Sequence, residues 1–446
     1  MQVAAVAVLM ATLWISEAIP IPATALAPIV LFPLLEIMPT PKVTLYYGNH
    51  LIFLFMGGFL IAVTIEKWQL HKRIALQTIL LVGVSSKQII LGFMLATAFL
   101  SAWISNTATA MMMVTIALAV IKQARQHTST DNQQSEFSTA LMLGIAYSAS
   151  IGGVATLIGT PPNAILAGVI EANFNYSISF AKWMSFGVPL SLSMLFLCWF
   201  YLTRIAFKSE FNELPGGRTS IHQQLDALGP MSSAEKKVLG VFLLVALGWL
   251  LRGLFDIAFL QAVKDSSIAI AGALMLFIIP AGDDKKQPLL DWQTAKTIPW
   301  DIIVLFGGGF ALAGGFASSG LTEWIAGQLI SLQGMNLLVI VFMVVLLVIF
   351  LTEITSNTAT ASLFLPLMGA FAIAIQIHPL NLMVAAALAA SFAFMLPVAT
   401  PPNAIVFSSR QITIPQMAKA GLWLNVIGSI LITLFVIFYL PKTFNL

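Results

Sequence analysis

Apolar runs long enough to form membrane-crossing helices recur from one end of this 446-residue chain to the other, separated by polar interruptions that are mostly short. About 20 apolar residues in an α-helix cross the hydrocarbon core of a bilayer. Inside that core every backbone N–H and C=O must find its partner within the protein, so the chain reads as a bundle of membrane-spanning helices. Composition agrees where it matters. Only 9% of the residues are charged, against about a quarter in soluble domains, which is too little to clothe a water-facing surface. The 21 Lys and Arg residues are scattered rather than clustered, which excludes nucleic acid as a ligand. Cys198 is the sole cysteine, so a disulfide framework and a thiolate metal site are both excluded. The first run lacks a basic start and leads into Ile19-Pro20-Ile21-Pro22, so a cleaved leader is not expected.

Spans are expected at about 3–18, 21–38, 50–66, 137–172, 184–204, 236–254, 266–281, 300–318, 380–409 and 417–440. Two further apolar stretches, 87–121 and 335–376, are too long for one crossing and carry Ser-Asn-Thr near the middle. Each reads as a re-entrant hairpin, whose non-helical tip must face protein or a water-filled cavity. Stretches near 69–84 and 320–333 mix apolar and polar residues and read as amphipathic helices along the membrane surface. With this topology Lys42, Lys182, Arg252, Lys264 and Lys442 fall on one side, and the remaining basic residues fall on the other. That asymmetry marks the richer side as cytoplasmic. The segment 205–235, with Glu213-Leu214-Pro215-Gly216-Gly217, reads as a cytoplasmic linker between two halves.

Those halves are related. Phe55-Met56-Gly57-Gly58-Phe59 matches Phe306-Gly307-Gly308-Gly309-Phe310, and Ser105-Asn106-Thr107-Ala108-Thr109-Ala110 is repeated letter for letter from Ser356 to Ala361, both pairs 251 positions apart. Thr160-Pro161-Pro162-Asn163-Ala164-Ile165 recurs from Thr400 to Ile405 at a spacing of 240, the shortfall falling at the polar insertion from Gln123 to Glu136. Three motifs in one order, twice, are a duplication. An odd number of crossings separates the matched helices, so the halves are expected to be inverted, an arrangement that gives secondary transporters two alternative openings onto one mid-membrane site.

The four interruptions carry the chemistry. Two half-helices meeting at a tip direct unpaired C=O and N–H groups toward one place. Carbonyls and hydroxyls suit a hard cation, and helix N-termini suit an anion. Consecutive prolines cannot continue a helix, so the segments 137–172 and 380–409 are expected to break at Thr160-Pro161 and Thr400-Pro401. None of the four motifs contains Arg, Lys or His. An anion held there meets neutral donors, with bound cations supplying positive charge, and this gives coupling a physical reason.

The paired Ser-Asn-Thr and Thr-Pro-Pro-Asn-Ala-Ile motifs resemble those of the divalent anion–sodium symporter family, the INDY-type di- and tricarboxylate carriers, over nearly the whole chain. The resemblance implies an all-α polytopic membrane protein with an inverted-topology repeat, two re-entrant hairpins, two broken helices, and a scaffold beside a transport domain. Carried onto this sequence it implies scaffold helices and an interfacial helix in 1–86, a first transport region in 87–183 and scaffold helices with the linker and second interfacial helix in 184–334. The second transport region is then 335–416 and the last helix 417–446. It implies sodium as the co-transported ion, one site using Ser101, Ser105, Asn106 and Gly159 and another Thr352, Thr355, Asn357 and Ala399. A dicarboxylate would meet Asn106, Thr107, Thr160, Asn357, Thr358, Thr400 and Pro401. It further implies a homodimer in the bacterial inner membrane with elevator-type movement. Relatives that carry sulfate tend to lose a threonine of the motif, and both are present here. The family has one more N-terminal helix ahead of the point where this chain starts, and a residue smaller than Thr355 is expected at that position.

Each feature has a plainer reading. Gly57-Gly58 and Gly307-Gly308-Gly309 are expected to be close-packing devices. Glu353 and Glu17 are intramembrane carboxylates able to tune a cation site or relay a proton, and the plainer reading of each is a partnered structural carboxylate. An exchanger that needs no sodium, or a carrier of citrate or sulfate, is the rival within the same fold. An intramembrane enzyme lacks any Ser/His, Asp/Asp or His-Glu-x-x-His constellation in the spans, and a channel does not need inverted halves.

Overall fold

The computed structural model describes residues 1–83, 85–127, 131–208, 217–255, 262–282, 287–329 and 333–446. Its elements are helices, with one isolated antiparallel bridge between Pro280 and Pro288. The chain enters through α1 (Gln2–Ser16), and the run expected as one span over 21–38 is instead two short helices, α2 (Ile21–Thr24) and α3 (Ala27–Leu34). Proline explains the difference: Pro22 and Pro28 sit in first turns, where a missing N–H is tolerated, and so start new helices rather than continue one. After α4 (Thr40–Tyr47) comes α5 (His50–Lys67), then α6 (Leu70–Val82), which buries Leu70, Leu76 and Ile79 on one face as expected of the amphipathic segment.

The first expected hairpin is α7 (Ser86–Ser101) and α8 (Asn106–His127). The first broken segment is α9 (Asp131–Gly153) and α10 (Pro161–Phe174), followed by α11 (Phe180–Phe200), which runs into a π-helical turn at Tyr201–Ala206. The linker expected over 205–235 contains a helix, α12 (Gly217–Ala227), while Glu213–Gly216 of its motif lie outside the described residues. Next come α13 (Ser233–Leu254), α14 (Asp265–Ile278), α15 (Trp292–Ala295) and α16 (Trp300–Ser318), then the surface helix α17 (Leu321–Leu329). The second hairpin is α18 (Leu337–Thr352) and α19 (Asn357–Ala374), the second broken segment α20 (Pro379–Ala389) and α21 (Pro401–Ser408). The chain ends in α22 (Ile414–Leu434), a π-helical turn and α23 (Leu440–Phe444). Among the described residues six helical stretches are long and apolar enough to cross a bilayer unaided: 40–67, 180–206, 233–254, 300–318, 357–374 and 414–444.

Ion pairs join segments distant in sequence, within each of the two expected sides. Lys67 meets Asp291 and Arg73 meets Glu235 on the basic-rich side, whereas Arg252 pairs with Asp265 and Lys264 with Glu171 on the other. Equivalent residues of the two halves also meet each other. Phe55 of α5 packs edge-on against Phe306 of α16 with ring centroids 4.8 Å apart, although the two are 251 positions apart in sequence.

The glycine motifs beside these phenylalanines are packing devices. A Cβ on Gly57 would lie 2.6 Å from Ala269 Cβ, and one on its counterpart Gly308 would strike the Ala25 backbone. Two helices can approach that closely only without a side chain between them. They hold α5 against α14 and α16 against α2, and so fix the wall beside the four breaks.

Candidate substrate and cation site

Each hairpin tip is a four-residue interruption. Helix α7 stops at Ser101 and α8 starts at Asn106; α18 stops at Thr352 and α19 starts at Asn357. The proline motifs begin the other two helices. Thr160 and Thr400, both extended, stand immediately before α10 and α21, and the prolines occupy the first turn, where no N–H is needed. The unwound segments differ in length, 154–160 in the first half and 390–400 in the second.

All four breaks line one cavity of about 1020 Å³. Ser105, Asn106 and Thr107 come from the first tip, and Gly159, Thr160 and Pro161 from the first broken segment. Thr355, Asn357 and Thr358 come from the second tip, and Ala399, Thr400 and Pro401 from the second broken segment. Four helix N-termini therefore open on one space, each with unpaired N–H groups and partial positive charge. Among the described residues no Lys, Arg or His lines it, and three carboxylic residues do: Glu17, Glu66 and Asp301.

Ser101 and Thr352 stand behind the wall, fully buried, and hold the two asparagines in matched ways. Ser101 Oγ donates to Ala149 O at 2.7 Å and makes a short contact with the inward amide atom of Asn106. Thr352 Oγ1 lies 2.8 Å from Asn357 Oδ1 and 3.2 Å from Ala390 O, two acceptors in reach of its one proton. The inward amide atom of Asn106 lies 3.2 Å from Gly159 O and 3.3 Å from Ala149 O. With its oxygen inward, it joins a hydroxyl and two carbonyls around one point; with its nitrogen inward, it donates to the same carbonyls. With the nitrogen inward the amide satisfies both carbonyls, so the Asn106 amide bridges the first tip and the first unwound segment. The Thr355 hydroxyl is engaged elsewhere, donating to Leu351 O at 2.9 Å and lying 2.7 Å from Thr360 Oγ1.

Glycine is required at the first of these points. A Cβ on Gly153 would lie 3.0 Å from Asn106 Oδ1 and 3.0 Å from Gly159 O, and one on Gly159 would collide with the Gly153 carbonyl. Sequence reasoning missed the pair of buried asparagines that hold the unwound segments. Asn163 Nδ2 donates to Thr156 O at 2.8 Å, and Asn403 Nδ2 to Ala393 O at 3.1 Å and Leu396 O at 3.0 Å. The signal was present, since both end a Thr-Pro-Pro-Asn motif. The carbonyls of Ala149 and Ala390 had no such signal, because any residue offers a C=O.

Comparison with known proteins accords with this geometry. Residues 1–443 match the family model described as the sodium:sulfate symporter transmembrane region. The sodium-dependent dicarboxylate transporter SdcS of Staphylococcus saprophyticus is 47% identical, covering 100% of this chain and 87% of that protein. Its namesake in Staphylococcus aureus strain USA300 is 48% identical over 98% of this chain and 86% of its own length. Among solved structures, the Alcanivorax borkumensis YdaH transporter superposes with a TM-score of 0.59 at 14% identity, covering 90% of this chain and 88% of its own. MtrF of Neisseria gonorrhoeae does so at 0.59 and 11%, covering 87% and 81%. At those identities the two structures bear on the fold alone. The family match over nearly the whole length, with the close relatives, settles the affiliation: this chain is a member of the sodium:sulfate symporter family, a multi-pass membrane transporter rather than an enzyme.

Proposed function

We propose that this protein is a sodium-coupled symporter of C4-dicarboxylates such as succinate, malate and fumarate, working as a homodimer by elevator-type alternating access. One observation carries the reading: polar residues and helix N-termini from both halves line a single cavity that, among the described residues, no basic side chain lines. A dicarboxylate has two anionic ends, and the cavity offers two matched cradles. Asn106, Thr107 and Thr160 receive one end, and Asn357, Thr358, Thr400 and Pro401 the other. Neutral donors hold the anion without the penalty of burying and later separating a full ion pair.

Sodium supplies the missing positive charge. Ser101, Ser105, Asn106 and Gly159 hold one ion, and Thr352, Thr355, Asn357 and Ala399 the second, several of them through carbonyl oxygen. Each asparagine belongs to both an anion cradle and a cation site, so binding of one species prepares the site for the other. The relatives' names, sodium-dependent dicarboxylate transporter, support this choice of ion and substrate. The family model's name speaks of sulfate, and retention of both Thr107 and Thr358 favours carboxylates over that reading.

The cavity lining runs toward Glu66, Thr297 and Asp301, on the basic-rich side. Opposite, at the far ends of α5 and α10, His50 Nε2 lies 3.0 Å from Glu171 Oε2. The protein is thus taken to be in its inward-open state. The test is uptake of labelled succinate into proteoliposomes with an imposed sodium gradient, against potassium, with sulfate and citrate as competitors. Uphill uptake that requires external sodium is expected, with sulfate a poor competitor. Undiminished uptake without sodium that depends on internal dicarboxylate would mean an exchanger.

A further inference from the structure

Glu353 is 3% exposed and sits in the second tip beside Thr352. Its carboxylate accepts four hydrogen bonds: from the backbone N–H groups of Phe394 at 2.7 Å, Met395 at 2.9 Å and Leu396 at 3.0 Å, and from Asn425 Nδ2 at 2.8 Å. Donors alone satisfy the group, so the pocket is made for a carboxylate, and three successive N–H groups form an anion nest. The opposite edge of the same segment is held by Asn403, through Ala393 O and Leu396 O. The unwound chain from 393 to 396 is therefore gripped along both edges.

The first half has only one of these grips in the same form. Asn163 matches Asn403, but the position 251 before Glu353 is Ala102, whose carbonyl accepts from Thr156 Oγ1 at 2.5 Å. Thr156 is in turn the counterpart, 240 positions earlier, of Leu396. One half thus ties its break to its hairpin tip with a neutral hydroxyl, and the other with a buried charge. Structural support alone does not require the charge, since the same molecule accomplishes that task without it, and burying an ion carries a desolvation penalty.

We propose that Glu353 is a positioning residue for the second cation site, and that its charge makes this site the tighter of the two. The assignment rests on the reading of Thr352, Thr355, Asn357 and Ala399 as that site. The carboxylate fixes the segment leading to Ala399, whose N–H donates to Leu396 O at 3.2 Å. It also adds a formal negative charge one residue from Thr352, which the first site, with Ala102 in that place, lacks.

The double variant Glu353→Ala/Leu396→Thr writes the first half's neutral solution into the second. Thermal unfolding of purified protein is followed in potassium chloride and then against rising sodium chloride, beside the sodium dependence of succinate uptake. The variant is expected to melt near wild type in potassium yet to need roughly tenfold more sodium for half-maximal stabilisation and uptake, the scale of one nearby charge in a partly screened interior. Glu353→Gln keeps the side chain's length and sheds its charge, and the same shift is expected. A wild-type sodium titration in either variant overturns the assignment, and Glu353→Gln decides the matter alone if the double variant does not fold. If wild-type melting itself ignores sodium, the cotransport reading falls and the assignment with it. A responsive wild type beside an identical variant overturns only the role of Glu353.

Discussion

Asn106 and Asn357 are each the first residue of a helix, the partner of a buried hydroxyl and a lining residue of the cavity. Such overlap was legible from sequence, because an asparagine between Ser and Thr in an otherwise apolar run has no other use for its amide. What surrounds it was not legible. The Ala149 and Gly159 carbonyls approach Asn106 only because Gly153 and Gly159 leave room. Gly159→Ala tests that closeness: the added methyl meets the Gly153 carbonyl, and overpacking of this kind typically costs about 1–3 kcal/mol. A lower melting temperature and a weaker response to sodium are expected, whereas an unchanged sodium titration would place the first ion elsewhere. Glu353 is a fully partnered carboxylate, and its four donors show how a charge survives at that depth.

At the scale of elements, the sequence located where the chain resumes its helix after each break, because prolines and polar triplets cannot hide in apolar helices, but not where the unwinding begins, seven and eleven residues earlier at 154 and 390. It failed where helix and loop share a composition. The run 21–38 is mostly apolar, yet four prolines between 20 and 33 divide it into α2 and α3. The polar segment 217–227 looks like linker but is helical. The short helix α15 anchors the basic-rich end of α5: Asp291 accepts from Lys67 Nζ at 2.5 Å, and Trp68 Nε1 donates to Leu289 O at 2.8 Å. The Lys67 hydrogen bond, followed by the N–H of Thr294, lowers the Asp291 carboxyl to about 2, below an unfolded-chain value of about 3.9. A depressed folded value stabilises the protein above the unfolded one, and that contribution is lost as pH falls through about 4 toward 2. Asp291→Asn should therefore melt slightly lower than wild type at a constant offset from pH 5 to 8, the offset shrinking at more acid pH. The offset should be small, because the carboxylate side chain is 38% exposed and exposed pairs contribute little. An offset that grows on acidification would show that another group governs this end of α5.

For the whole molecule, duplication explains why the site exists. Each half contributes one hairpin tip and one broken segment to the cavity, and Phe55 of one half packs against Phe306 of the other. The motif spacing announced the duplication; the unequal breaks at 154–160 and 390–400, and their unequal supports, appear only in three dimensions. Both halves are expected to be needed at once for every ligand. The most direct measurement is sodium-dependent binding of labelled succinate to purified wild type, Asn106→Ala and Asn357→Ala, each first shown to reach the membrane folded. Wild type should bind only with sodium, and each single variant should lose binding by at least roughly a hundredfold, since one truncation removes ligands from cation and anion together. Wild-type, sodium-dependent binding by either variant would contradict a site shared between the two halves.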